Sequence, residues 1–248
     1  LAISVRFGRR VSPRRILLYG VHGIGKSTFA GMAPKAVFIP TEDGLDDIDC
    51  ASFDLCRSYA DVLDCLGQLY AEEHDFRTLV IDSVDWLERL IWQEVCRQRQ
   101  VDSIEDIGFA KGYTFALQQW QAVLGGLNAL RRRGMAIILL AHAKIERFED
   151  PATDSYDRYV PRLHKLASHV LQEWCDEVLF ANYKVFTTKA DAGFNRKETR
   201  GVGSGERVLY TTERPAHVAK NRLNLPDELP LDWREYAKFL PPDGGQAS

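Results

Sequence analysis

Gly20-Val21-His22-Gly23-Ile24-Gly25-Lys26-Ser27 reads G-x-x-x-x-G-K-S, the pattern of a phosphate-cradling P-loop. Just before it, Arg15-Ile16-Leu17-Leu18-Tyr19 is a short apolar run that predicts a buried strand. Just after it, Thr28-Phe29-Ala30-Gly31-Met32-Ala33 predicts a helix that Pro34 stops. Strand, glycine loop and helix are what phosphate binding requires. The glycines let backbone N–H groups turn inward, and a helix N-terminus adds its positive end. The candidate nucleotide-binding residues are Gly20, His22, Gly23, Ile24, Gly25, Lys26, Ser27 and Thr28. Lys26 would reach the β/γ-phosphates and Ser27 would hold Mg²⁺. The alternative is a chance match in a glycine-containing loop, which would rarely also follow a strand and open a helix.

The chain around this loop has 248 residues and 45% hydrophobic content, enough for one domain with a substantial core. A net charge of -3 excludes a generally basic polyanion binder, so any nucleic-acid contact must come from local patches. The five cysteines follow no C-x-x-C spacing, which favours reduced thiols in a cytoplasmic setting over a zinc site or disulfide framework. No apolar run has membrane-spanning length, and Leu1-Ala2-Ile3-Ser4-Val5-Arg6 lacks the apolar core of a signal peptide. Residues 1–14 carry Arg6, Arg9, Arg10 and Arg14, a basic arm that is either solvated or contacts phosphate or another subunit. Residues 15–240 form the expected domain, and 241–248 a disordered tail.

Downstream, Ala36-Val37-Phe38-Ile39-Pro40-Thr41 predicts a second buried strand, ending in Glu42-Asp43-Gly44. Residues 53–56 suggest a short third strand, and 60–73 an amphipathic helix. Thr78-Leu79-Val80-Ile81-Asp82 is an apolar strand ending in an aspartate, as where a P-loop NTPase places its metal-side carboxylate. The alternative for Asp82 is a cap on the helix predicted over 84–99. Residues 100–113 read as a mobile loop, 114–133 as a helix, and 135–142 as a strand ending in His142. A polar residue there senses a γ-phosphate or is satisfied by backbone. Residues 144–165 interleave Arg147, Arg158, Arg162, His164 and Lys165 with Phe148, Tyr156 and Tyr159. That mixture is either a packed surface loop or a face that stacks on and neutralises a single strand. Alternation over 175–188 and 208–211 predicts hairpin strands, with a Gly- and Arg-rich tip between them.

Strands alternating with helices up to His142 imply a mainly parallel α/β sheet flanked by helices, with antiparallel hairpin strands at the C-terminal end. The water-orienting carboxylate is then Glu42, provided its strand lies next to the P-loop strand; otherwise Glu42 only begins an acidic turn. In this order the parts resemble the RecA/Rad/KaiC branch of P-loop ATPases. The segments that carry the likeness are the P-loop, Thr41-Glu42-Asp43-Gly44, Asp82-Ser83, residues 108–113, Ala141-His142-Ala143, Lys220-Asn221-Arg222 and Leu225-Pro226. More narrowly, the chain resembles phage-type AAA ATP-binding proteins related to the Sak-type single-strand annealing ATPases. The resemblance implies a RecA-like fold, ATP and Mg²⁺ as ligand and cofactor, and a bacterial or phage-infected cytoplasm. Lys26, Glu42, Asp82 and His142 would be the catalytic residues of one subunit, with Ser27 and Asp82 on the metal. Lys220 and Arg222 would complete a neighbour's site in a homo-oligomer, or they are plain surface cations. Single-stranded DNA would be the macromolecular partner. A nucleotide-switched adaptor that binds a protein, and a P-loop small-molecule kinase, are the competing readings.

Overall fold

The structure is a computed structural model that describes residues 5, 8, 11–109, 111–191 and 197–241. The strands are β1 (Arg15–Gly20), β2 (Ala36–Pro40), β3 (Ala51–Ser52), β4 (Thr78–Asp82), β5 (Ala136–Phe148), β6 (Tyr156–Pro161), β7 (Glu177–Asp191), β8 (Lys197–Tyr210) and β9 (Glu228–Pro230). The helices are α1 (Lys26–Gly31), α2 (Tyr59–Ala71), α3 (Val84–Arg99), α4 (Lys111–Arg132), α5 (Lys165–Trp174) and α6 (Trp233–Ala237), with a 3-10 turn at Ile104–Asp106.

The main sheet runs β3-β2-β4-β5-β1-β7-β8-β9. From β3 to β7 neighbouring strands are parallel; β8 and β9 return antiparallel. Alternation along the central strands decides which core each side chain joins. Leu17, Tyr19, Leu79, Ile81, Ile137 and Leu139 face the larger core under α2–α5. Ile16, Leu18, Val80, Ile138, Leu140 and Leu209 face the core under α1 and α6. These strands are buried on both faces, which explains their unbroken apolar runs. The expected fold class, a mainly parallel α/β sheet flanked by helices with antiparallel C-terminal strands, is the observed one.

Three local expectations are corrected. The third strand is Ala51–Ser52 and not 53–56, although Phe53 and Cys56 still donate to the Phe38 and Pro40 carbonyls along the edge of β2. Residues 144–161 are no loop: β5 continues six residues past His142 and pairs antiparallel with β6, from Ala143↔Pro161 to Phe148↔Tyr156. This ribbon is partly exposed, so it carries no apolar run to announce it. Third, β2 does not lie beside β1, because β4 and β5 stand between them.

Arg14 pairs with the fully buried Glu177, so the domain's ion pairs begin inside the arm expected over 1–14. Arg6, Arg9, Arg10 and the tail 242–248 lie outside the described residues.

Candidate nucleotide site

Gly20 ends β1 against β7: a Cβ there would lie 2.4 Å from the Ala181 carbonyl oxygen, so no larger residue fits without moving the strand. Gly23 (φ 70°) and Gly25 (φ 105°) take left-handed conformations that turn the loop back over the end of β1. Ile24 between them is fully buried and pins the loop into the α1-side core. His22, Gly23 and Thr28 remain exposed on its open side. Lys26 is only 7% exposed, and its ammonium donates to the Gly20 and Val21 carbonyls at 3.4 and 3.2 Å. Burial pushes this lysine below its ordinary pKa, against the opposing pull of Asp82, Glu42 and Asp85.

Asp82 and His142 stand at even register with Val80 and Leu140, so both emerge on the α1 face at the strand ends. Ser27 donates its hydroxyl to Asp82 at 2.5 Å. Burial raises the Asp82 carboxyl, opposed by the Ser27 hydrogen bond and the Lys26 charge. Asp82 is not the cap of α3; that position is Ser83.

Glu42 enters from β2 by a sideways route. The Thr41 and Glu42 N–H groups both donate to the Asp82 carbonyl, at 2.8 and 3.3 Å, and the Thr41 hydroxyl donates to the Ser83 carbonyl at 2.6 Å. The tip of β2 is thereby folded over β4, and Glu42 Oε1 comes within 3.9 Å of His142 Nδ1. Burial raises the Glu42 carboxyl; His142 opposes this and the charges of Asp82 and Asp85 add to it.

Behind His142 sits Asp85, in the first turn of α3 and 3% exposed. It accepts from the His142 backbone N–H at 3.0 Å, from His142 Nδ1 at 3.1 Å, and from Arg162 at 2.9 and 2.5 Å. Burial works against ionisation, yet these donors hold Asp85 well below the usual carboxylate range. His142 Nδ1 thus stands between Asp85, which only accepts, and Arg162, whose guanidinium only donates and lies 3.1 Å from the same nitrogen. The His142 ring stacks on His22 of the loop, centroids 5.7 Å apart.

Glu88, one helical turn after Asp85, is 4% exposed. Its Oε2 accepts from the His164 N–H at 2.9 Å, while Oε1 has no partner. Burial lifts its pKa from 4.5 to about 7, partly offset by the His164 bond. A raised acid favours the folded state when protonated. Its contribution, on the order of 3 kcal/mol, is therefore complete below about pH 4.5 and gone once the pH has risen through 7. Glu88→Gln should flatten that part of the pH dependence, read as urea midpoints at pH 5 and pH 8 for both proteins.

Lys220 and Arg222 lie elsewhere. Lys220 pairs with Val178, which is level with Leu17 in mid-β1, and its ammonium donates to the Gln172, Glu173 and Cys175 carbonyls at 2.9, 3.1 and 2.7 Å. All three of its donors therefore serve the C-terminal end of α5. Arg222 reaches Asp176 at 3.4 Å and keeps 55% of its side chain exposed. Asp176 also binds Arg15 and Arg131, and these pairs tie down the starting ends of β1 and β7, at the opposite end of β1 from the P-loop.

So Lys26, Ser27, Asp82, Glu42 and His142 converge in one chain, and Lys220 and Arg222 do not join them. Asp85 was missed because an aspartate at a helix start reads as an N-terminal charge. Arg162 was noted only as one of several cations in 144–165.

The donor set fits a Mg²⁺–nucleotide. A hydroxyl and a carboxylate oxygen converge as hard ligands, a buried ammonium lies beside them, and nothing stands within 4 Å of where a Gly23 Cβ would be. Fold and site are those of a P-loop NTPase of the α/β class. Residues 12–223 match the AAA domain family AAA_24, and the chain belongs to it. The chain is 28% identical over 134 residues to the SPbeta prophage-derived uncharacterized protein YorG of Bacillus subtilis (strain 168), a match over 52% of this chain and 40% of that protein. It is also similar to the crystal structure of a KaiC-like protein from the hyperthermophilic archaeon Pyrococcus horikoshii OT3 (15% identity, TM-score 0.40, covering 80% of this chain and 79% of the other). Among the described residues no helix is long and apolar enough to cross a membrane.

Proposed function

We propose that the protein is a Mg²⁺-dependent ATPase that acts on single-stranded DNA, in annealing or recombination, as a homo-oligomer related to the Sak-type ATPases. The observation that carries the ATPase part is the meeting of Glu42 with Asp82 and His142 beside Lys26. Lys26 and the loop N–H groups bind the phosphates, and Ser27 and Asp82 hold the metal, which supplies charge neutralisation. Glu42 orients the attacking water and accepts its proton. Its raised pKa favours that acceptance, and turnover should fall as pH falls through it. His142, fixed by Asp85, reports the state of the site to Arg162.

Two features support the DNA part. The β5–β6 ribbon grows directly out of the strand that carries His142, and Arg162, which follows β6, is bonded to Asp85. On the ribbon Arg158 lies 4.3 Å over the Phe148 ring and Ile145 is 62% exposed. In the 100–113 region, Phe109 is 97% exposed. Aromatic surface with interleaved arginine suits stacked bases.

In an oligomer, Arg222 is the better placed of the two cations to reach a neighbour's phosphates, since Lys220 is already committed to α5. Arg222→Ala should leave ATP affinity within about threefold and reduce turnover by about 10³. Mixing it with Glu42→Ala should restore part of the rate; no rescue at any ratio rejects a finger in trans.

The deciding experiment is ATP turnover with and without a single-stranded oligonucleotide, with binding measured across a salt series. Stimulation, with affinity that falls steeply with salt, supports the DNA reading. Turnover without DNA binding at low salt points to a protein-binding adaptor. Turnover only with an added phosphate acceptor points to a kinase.

A further inference from the structure

Arg207 on β8 is set by strand register against the P-loop. Gly20 is level with Ala181 on β7, and Ala181 with Leu209 on β8. Leu209 is buried in the α1-side core. Residues two apart on a strand share a face. Arg207 therefore stands on the α1 face, one repeat beyond the end of β1, at the height of the loop. Accordingly, a Cβ on Gly25 would lie 3.1 Å from an Arg207 guanidinium nitrogen. Leu231, whose N–H donates to the Arg207 carbonyl at 3.2 Å, flanks the same glycine.

The Arg207 side chain is exposed, and among the described residues it makes no hydrogen bond or ion pair. Arg14, Arg15, Arg162, Arg214 and Arg222 each sit on a carboxylate. A guanidinium held against Gly25 of a phosphate loop, with no carboxylate of its own, is suited to an incoming oxyanion.

The two sides of the loop differ. Asp82, Glu42 and Asp85 come from β4, β2 and α3, all on the β5 side of β1, whereas β8 lies on the β7 side. The metal and the water-orienting carboxylate belong to the first side, where the transferred phosphoryl group must lie.

We propose that Arg207 binds a non-transferred phosphate of the nucleoside triphosphate, from within the same chain, and clamps it over Gly25. This rests on the reading of the P-loop as a nucleotide site. It gives Arg207 a different role from a finger in trans, because it acts on ground-state binding and needs no neighbour.

The test is equilibrium binding of MgATP and MgADP to wild type, Arg207→Ala and Arg207→Gln, with turnover at saturating ATP and thermal stability measured alongside. The Gln variant keeps most of the stem should Ala disturb the loop. Both substitutions should weaken ATP and ADP alike by roughly tenfold or more, with kcat within about twofold and Tm of the nucleotide-free protein unchanged. Unchanged affinity for both nucleotides, or a loss confined to kcat, overturns the inference and leaves the P-loop reading standing. A wild-type protein that binds neither nucleotide overturns that reading itself.

Discussion

Lys26→Ala is expected to abolish nucleotide binding while leaving the fold intact. Lys26 is nearly enclosed by its own loop, and its ammonium touches the carbonyls of Gly20 and Val21. Burial already disfavours its charge, so losing the group relieves a desolvation cost in the nucleotide-free protein. The apo melting temperature should therefore stay level or rise slightly. Binding is different, because the phosphate chain would lose a buried, charge-assisted donor, a loss of about 3 kcal/mol or more, some hundredfold in affinity. Wild type should show a thermal upshift with MgATP that grows with ligand concentration, and the variant none at the same concentrations. An equal upshift in both proteins would remove the nucleotide assignment.

Glu42→Gln should separate chemistry from binding. The amide keeps the size and the Thr41–Asp82 tether is backbone, so the tip of β2 stays in place. What disappears is the proton acceptor. A general base is worth about 10² to 10⁴ in rate, and the loss should fall on kcat with the nucleotide Kd within a few-fold. The pH profile supplies a second readout. In wild type, turnover should decline with falling pH as Glu42 protonates at its raised pKa, and in the variant that limb should be missing. A kcat within threefold of wild type would return Glu42 to the rank of an acidic turn residue.

The individual elements were largely legible in the sequence. α3 begins and ends where its apolar spacing places it, over Val84–Arg99. The central strands announce themselves because both faces are buried, which leaves no polar residues to interrupt the run. The β5–β6 ribbon was not legible, since only Ala143, Tyr159, Val160 and Pro161 meet the core and the rest of it is partly or fully exposed, which leaves no apolar run. The placing of Glu42 near the P-loop rested on a condition that the strand order does not meet. Glu42 was expected on a strand next to β1; it arrives from two strands further out because backbone donors at Thr41 and Glu42 fasten it to Asp82.

By itself the sequence determined the strand–loop–helix unit that holds Gly20, Lys26 and Ser27. Those residues are joined through a few consecutive bonds, so their spacing fixes their geometry. Only the tertiary structure decided which side chains surround that unit. Asp85, His142 and Arg162 meet from α3, β5 and the residue after β6. Arg207 comes to Gly25 from β8, and Lys220 is drawn away to α5. These meetings depend on strand order and register, which are settled by how buried faces pack together and leave no mark on local periodicity.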